Sequence, residues 1–80
     1  MDIKEFIKDV LKETDRIKNV AHKDYHKNDM NKWVAVIGEE YGEVCRSIND
    51  KEGKNLYTES VQLVAALILA NEKAQKLKLY

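Results

Sequence analysis

Apolar residues recur at helical spacing in three stretches of this 80-residue chain, separated by polar breaks. The first stretch runs through Ile3, Phe6, Ile7, Val10, Leu11, Ile17, Val20 and Ala21. Asp2 followed by Glu5 is a capping-box pattern, so a first helix is predicted over about residues 2–21. HKDYHKNDMN is polar and without period, and reads as a helix end and a loop. Asp29 is the cap expected for the second helix, over about 30–49. There Met30, Val34, Ile37, Tyr41, Val44 and Ile48 make a nearly strict heptad stripe, widened by Trp33 and Cys45. Gly38 and Gly42 each cost that helix about 1 kcal/mol relative to Ala. Their spacing of one turn predicts close approach of another backbone. NDKEGKN, residues 49–55, reads as a turn with Gly53 as the C-terminal stop. A third helix follows over about 56–77, with Thr58 near its first turn. Its segment VQLVAALILA is apolar on every side. A helix apolar all round is buried all round, and two partners from so short a chain cannot do that. The expected fold is therefore all-α, a single three-helix domain over residues 1–80. Its four-helix-bundle-like core is completed across the subunits of a homo-oligomer, a homodimer or larger, with helix three at the contact.

Charge and cysteine content narrow the class. Lys and Arg number 14 and Asp and Glu 14, for a formal net charge of zero. That argues against bulk electrostatic attraction to nucleic acid or to an anionic membrane. The balance is uneven along the chain: residues 29–50 carry two basic against five acidic side chains, so the middle helix is the acidic one. One cysteine, Cys45, permits no internal disulfide and fits a reducing, cytoplasmic setting. Its ordinary role is that of a small apolar helix residue. No apolar run reaches the ~18 residues of a membrane span, and MDIKEFIKDV does not have the form of a signal peptide.

The chemistry lies in the acidic middle. At about 100° per residue, Glu40 falls about 80° from the stripe centre and Glu43 about 60° further round, while Glu39 points nearly opposite the stripe. Glu40 and Glu43 share an edge with Val36 and Ser47. Glu59 and Gln62 lie one turn apart on an edge of the third helix. If the two edges face each other they form an oxygen-lined site, because a carboxylate in so apolar a helix needs a cation or a strong donor. Mg²⁺ suits hard oxygen ligands and shares its shell with water and phosphates. The plainer alternative is a solvated acidic face paired with Lys or Arg. Clustered carboxylates repel one another, so without metal their pKa values are expected to rise.

The residues Glu39-Glu40-Tyr41-Gly42-Glu43, then fifteen residues, then Glu59-Ser60-Val61-Gln62, resemble the double acidic motif of the MazG-like all-α nucleoside triphosphate pyrophosphatases. The resemblance extends over about residues 30–72. It takes in Trp33 before the motif and the small-residue-rich apolar run after it, and looks like the short phage and bacterial members. The family likeness implies Mg²⁺-dependent hydrolysis of a nucleoside triphosphate to monophosphate and pyrophosphate. It implies Glu40, Glu43, Glu59 and Gln62 as metal ligands and Glu39 as the residue that orients or activates water. Gln62 stands where the family has Asp, which removes one negative charge from the site. Hydrolysis is more affected by that change than binding. A nucleotide-binding or nucleotide-sequestering oligomer is the rival, and a purely structural helical oligomer the third possibility.

Other residues admit two uses each. A basic side chain is expected at the outer phosphates, and Lys12, Arg16, Lys23 and Lys54 are candidates, each otherwise a solvated cation. Trp33 either stacks on a nucleobase or packs in the core. Tyr41 is core or a dimer contact, and Tyr25 a loop anchor or a pocket residue. His22 and His26 have metal-ligand spacing on a helix, but no third His or Cys completes a zinc shell.

Overall fold

The computed structural model describes residues 1–21 and 24–79. Three α-helices account for most of them: α1 over Ile3–Arg16, α2 over Met30–Asn49 and α3 over Gly53–Lys76. Asp2 caps α1, its Oδ1 accepting from the Lys4 and Glu5 amides at 2.9 and 3.2 Å. Asp29 caps α2 by accepting from the Lys32 amide at 2.8 Å. Both caps satisfy amides that have no carbonyl partner in the first helical turn. Beyond Arg16 the first helix does not continue as an α-helix: Ile17–Ala21 is wound as a π-helix. Lys18 in that turn pairs with Glu72 of α3 at 3.3 Å, so the over-wide turn is tied to the third helix. A short 3₁₀ helix, Tyr25–Lys27, lies within the stretch expected to be loop.

The turn between α2 and α3 departs from expectation. Gly53 is the first residue of α3, not the stop of α2, and α3 starts three residues before Leu56. Lys51 takes the left-handed conformation instead, with φ of 57°. Its amide bonds the Ile48 carbonyl at 3.2 Å, and the Glu52 amide bonds the Ser47 carbonyl at 3.0 Å. That pair of bonds is the Schellman closure of a helix C-terminus. It consumes the carbonyls a glycine stop would have served, and leaves Gly53 free to begin the next helix.

Helix α3 is central, with α1 and α2 both packed on it. Its alanines let the neighbours close in: Val61, Ala65, Ala66, Leu69, Ala70 and Ala74 are all buried. Trp33 of α2, 4% exposed, packs with Ala66, Leu69 and Ala70, and Ile17, Tyr25, Val36 and Ile37 close round them. On the other flank the Phe6 and Tyr57 rings meet edge to face at 5.6 Å. The Tyr57 hydroxyl donates to Asp9 at 2.6 Å. That bond, with desolvation and the charge of Asp9, pushes the Tyr57 phenol up to about 12.

Two expectations about faces are corrected. Only one side of the heptad stripe of α2, Met30, Ile37 and Val44, is half-buried against this chain; the other side faces out. Val34 is 69% exposed, Tyr41 61% and Ile48 55%, so Tyr41 is not a core residue of the chain. The buried side is the adjoining edge of Trp33 and Ser47, along which Val36, Glu40 and Glu43 are half-buried. The glycines admit no neighbouring backbone within the chain, since a Cβ at Gly38 or Gly42 would meet nothing within 4 Å. Helix α3 is also less starved of partners than its composition suggests: among its large apolar residues up to Lys76 only Leu67 is exposed, at 40%. Among the described residues no helix is long and apolar enough to cross a membrane.

Candidate functional site

Because the buried edge of α2 carries Glu40 and Glu43, packing it on α3 brings both to Glu59. One carboxylate oxygen from each of the three lies within 4.8 Å of the others. All three side chains are half-buried, and Oε2 of Glu40 and Oε2 of Glu59 are buried with no hydrogen-bond partner among the described residues. Ionised carboxylates accept but cannot donate, so such a group is unfavourable until a proton or a cation enters it. Its electrostatics follow. Glu59 is pushed up to about 7 from an ordinary 4.5. The largest cause is a hydrogen bond with Glu43, which requires a shared proton; desolvation and the charges of Glu43 and Glu40 add to it, and Arg46 opposes it. Glu40 is raised by desolvation first, then by Glu43, Glu39 and Glu13.

A stability trend follows from Glu59. Its folded form holds the proton more tightly than the unfolded chain does. Its contribution to stability is therefore full below about 4.5 and is lost as pH rises through about 7. In chelator, the melting temperature of the wild type is expected to fall between pH 5 and pH 8 more steeply than that of Glu59→Gln, followed by circular dichroism. Equal slopes would show that Glu59 carries no such shift.

Beside the cluster lies a cavity of about 600 Å³, walled by the end of α1, the segment around Tyr25, α2 and α3. Ile17, Trp33, Val36 and Ala66 supply its apolar wall, and Glu39, Glu40 and Gln62 its polar edge. Glu40 thus belongs both to the carboxylate cluster and to the cavity. Glu39 is exposed at the rim. Trp33 is a core residue that also lines the cavity, and its Nε1 has no hydrogen-bond partner among the described residues.

The basic candidates separate. Arg16 lines the cavity, whereas Lys12 and Lys54 are exposed and are not among the lining residues. His22 and Lys23 lie outside the described residues, as does the His26 side chain. Tyr25 is at the wall. Lining residues that were not anticipated include Lys32 and Glu13. Lys32 was detectable, since positions 32, 36, 39 and 43 follow one face of α2. No local signal marked Glu13 beyond its one-turn spacing from Arg16.

In class this is an all-α, three-helix protein with a three-glutamate cluster opening beside a cavity. No protein-family model, curated protein or solved structure matches the chain. Its functional reading therefore stands on its own residues and their geometry.

Proposed function

We propose that the protein is a Mg²⁺-dependent nucleoside triphosphate pyrophosphohydrolase, yielding monophosphate and pyrophosphate. The observation that carries the reading is the convergence of Glu40, Glu43 and Glu59, with unpartnered buried oxygens, at the edge of a cavity with a tryptophan wall. The donor set fits a hard divalent cation: three carboxylates within one small volume, with no sulfur or imidazole among them. Glu40, Glu43 and Glu59 would hold it, and the Gln62 amide oxygen could join from the cavity wall. When bound, Mg²⁺ supplies charge neutralisation on the phosphates. The chain's own residues do the rest. Glu39, exposed at the rim, accepts the proton of the attacking water as the water oxygen bonds to phosphorus. The α–β phosphoanhydride bond breaks and pyrophosphate leaves with the bridging oxygen. Trp33 and Val36 shield one side of the cavity from water and offer the base an apolar wall.

Two further readings have their own observations. Gln62 in the cavity wall, where a fourth carboxylate would strengthen the site, favours a module that binds or sequesters a nucleotide without cutting it. The outward stripe of Val34, Tyr41 and Ile48 favours self-association, into a homodimer or larger bundle, and by itself fits a structural oligomer in the cytoplasm. Pyrophosphate release from a panel of nucleoside triphosphates, with and without Mg²⁺ and with binding followed in the same samples, separates the three. Mg²⁺-dependent release is the expected result. Binding without product would leave the sequestering module, and neither binding nor product would leave the structural oligomer.

A further inference from the structure

Among the described residues the cavity wall carries Glu13, Asp24, Glu39 and Glu40 against Arg16 and Lys32, so these side chains are net negative even before Glu43 and Glu59 are counted. Among the described residues, a polyphosphate entering it is attracted only at a bound cation and at those two side chains. The two are not equivalent. Lys32 lies eight residues before Glu40 on α2, which at 1.5 Å per residue is about 12 Å along the helix. Arg16 stands one turn beyond Glu13 on α1, and both line the cavity together with Glu40. Arg16 is also the more ordered donor. Its Nε donates to Glu13 Oε1 at 2.7 Å and one terminal nitrogen to Glu13 Oε2 at 2.7 Å. That fork uses two of the five guanidinium N–H groups and holds the remaining three in a fixed plane. A donor already held in place loses less conformational entropy when it binds an anion than a free lysine does.

We propose that Arg16 is the phosphate-binding residue of the site and that Glu13 is a positioning residue that presents its guanidinium to the metal-bound end of a polyphosphate. This rests on the Mg²⁺-nucleotide reading above and deepens it. The Glu13–Arg16 pair is neutral as a unit, so it attracts no free anion at long range. It acts at short range, as a directed donor, once a divalent cation has offset the carboxylates. Lys32, further along the cavity, is left to the opposite end of the ligand.

The test uses inorganic pyrophosphate, which has no base or sugar to add contacts, in calorimetric titrations at saturating Mg²⁺. Wild type, Arg16→Ala, Arg16→Lys, Glu13→Gln, Lys32→Ala and the Arg16→Ala/Glu13→Gln double variant are compared, with Mg²⁺ affinity measured separately on each. Arg16→Ala is expected to weaken pyrophosphate binding by about tenfold or more, with Mg²⁺ affinity unchanged. Arg16→Lys should recover only part of that loss, and Lys32→Ala should lose little. Glu13→Gln should weaken pyrophosphate binding as well, yet cost nothing further in the double variant, as expected of a residue acting through Arg16. Wild-type pyrophosphate affinity in Arg16→Ala, or a loss carried by Lys32→Ala instead, would overturn the assignment while leaving the metal site standing. Additive losses in the double variant would overturn the positioning role of Glu13. A wild type that binds no Mg²⁺ would overturn the function proposed above, and this assignment with it.

Discussion

Glu43→Ala is expected to abolish Mg²⁺ binding while making the metal-free protein more stable. The two effects have one cause. Glu43 lies one turn from Glu40 on α2 and is the largest influence on Glu59 of α3, so it is the member of the cluster that engages both others. Without it the site loses one of its three anionic ligands and the one that bridges the two helices' carboxylates, so in the absence of substrate phosphates little holds the ion. The repulsion that raises Glu40 and Glu59 is also relieved, and both titrate nearer the ordinary range. Alanine adds some helix propensity over Glu. In the wild type, Mg²⁺ at about 100 times its dissociation constant should stabilise the fold by about 2.7 kcal/mol. For a domain of this size that is roughly 10–20 °C in melting temperature. Thermal melts with Mg²⁺ and with chelator read both effects together. The variant should melt above the wild type in chelator and gain nothing from Mg²⁺. A Mg²⁺-dependent rise that survives Glu43→Ala would move the metal elsewhere.

Leu69→Ala is expected to cost about 3 kcal/mol, the usual scale for emptying a leucine site in a close-packed core. Leu69 is 1% exposed and is packed in the cluster with Trp33, Ala66 and Ala70 that joins α2 to α3. A domain of this size holds only about 4–12 kcal/mol in total, so the loss removes a large share of it. Its two neighbours in the cluster from the same helix, Ala66 and Ala70, have little side chain with which to refill the space. Leu67→Ala, two residues away on the outward side of the same helix, should cost less than about 1 kcal/mol. Urea denaturation of both variants checks the contrast. Comparable losses would mean that Leu67 is covered, which in this fold requires another copy of the chain.

The features legible in the sequence were the local ones. Asp2 and Asp29 cap their helices because capping depends on residues two or three positions apart. The span of α2 followed from its period and its cap. The meeting of Glu40, Glu43 and Glu59 was legible as a condition, namely that two helix edges face each other, and in the structure they do. What could not be read was which face turns inward. Periodicity identifies residues that share a side of a helix, not the side a neighbour covers. The stripe from Met30 to Ile48 was the obvious candidate, yet α3 packs on the edge of Trp33, Glu40 and Ser47, and Val34 and Tyr41 remain outside. Gly53 misled for a different reason. A glycine is the usual left-handed helix stop, but Lys51 adopts that conformation first and completes the closing hydrogen bonds. The π-helical turn after Arg16 has no mark in its own residues. Its tie to the fold is the Lys18–Glu72 pair, two residues far apart in the chain. The choice of Arg16 over Lys12 and Lys54 likewise required knowing where the cavity opens.

The measurement that bears most directly on the metal site is paramagnetic broadening by Mn²⁺, which takes the same oxygen ligands as Mg²⁺ and marks its own position in an amide NMR spectrum. Sub-stoichiometric Mn²⁺ should broaden the signals of Glu40, Glu43 and Glu59 first and those of Gln62 and Val36 next. Asp2, Asp9 and Asp50 should stay sharp, and excess Mg²⁺ should restore the lost signals. Broadening centred on those aspartates, or uniform broadening that Mg²⁺ does not reverse, would contradict a divalent cation site between α2 and α3.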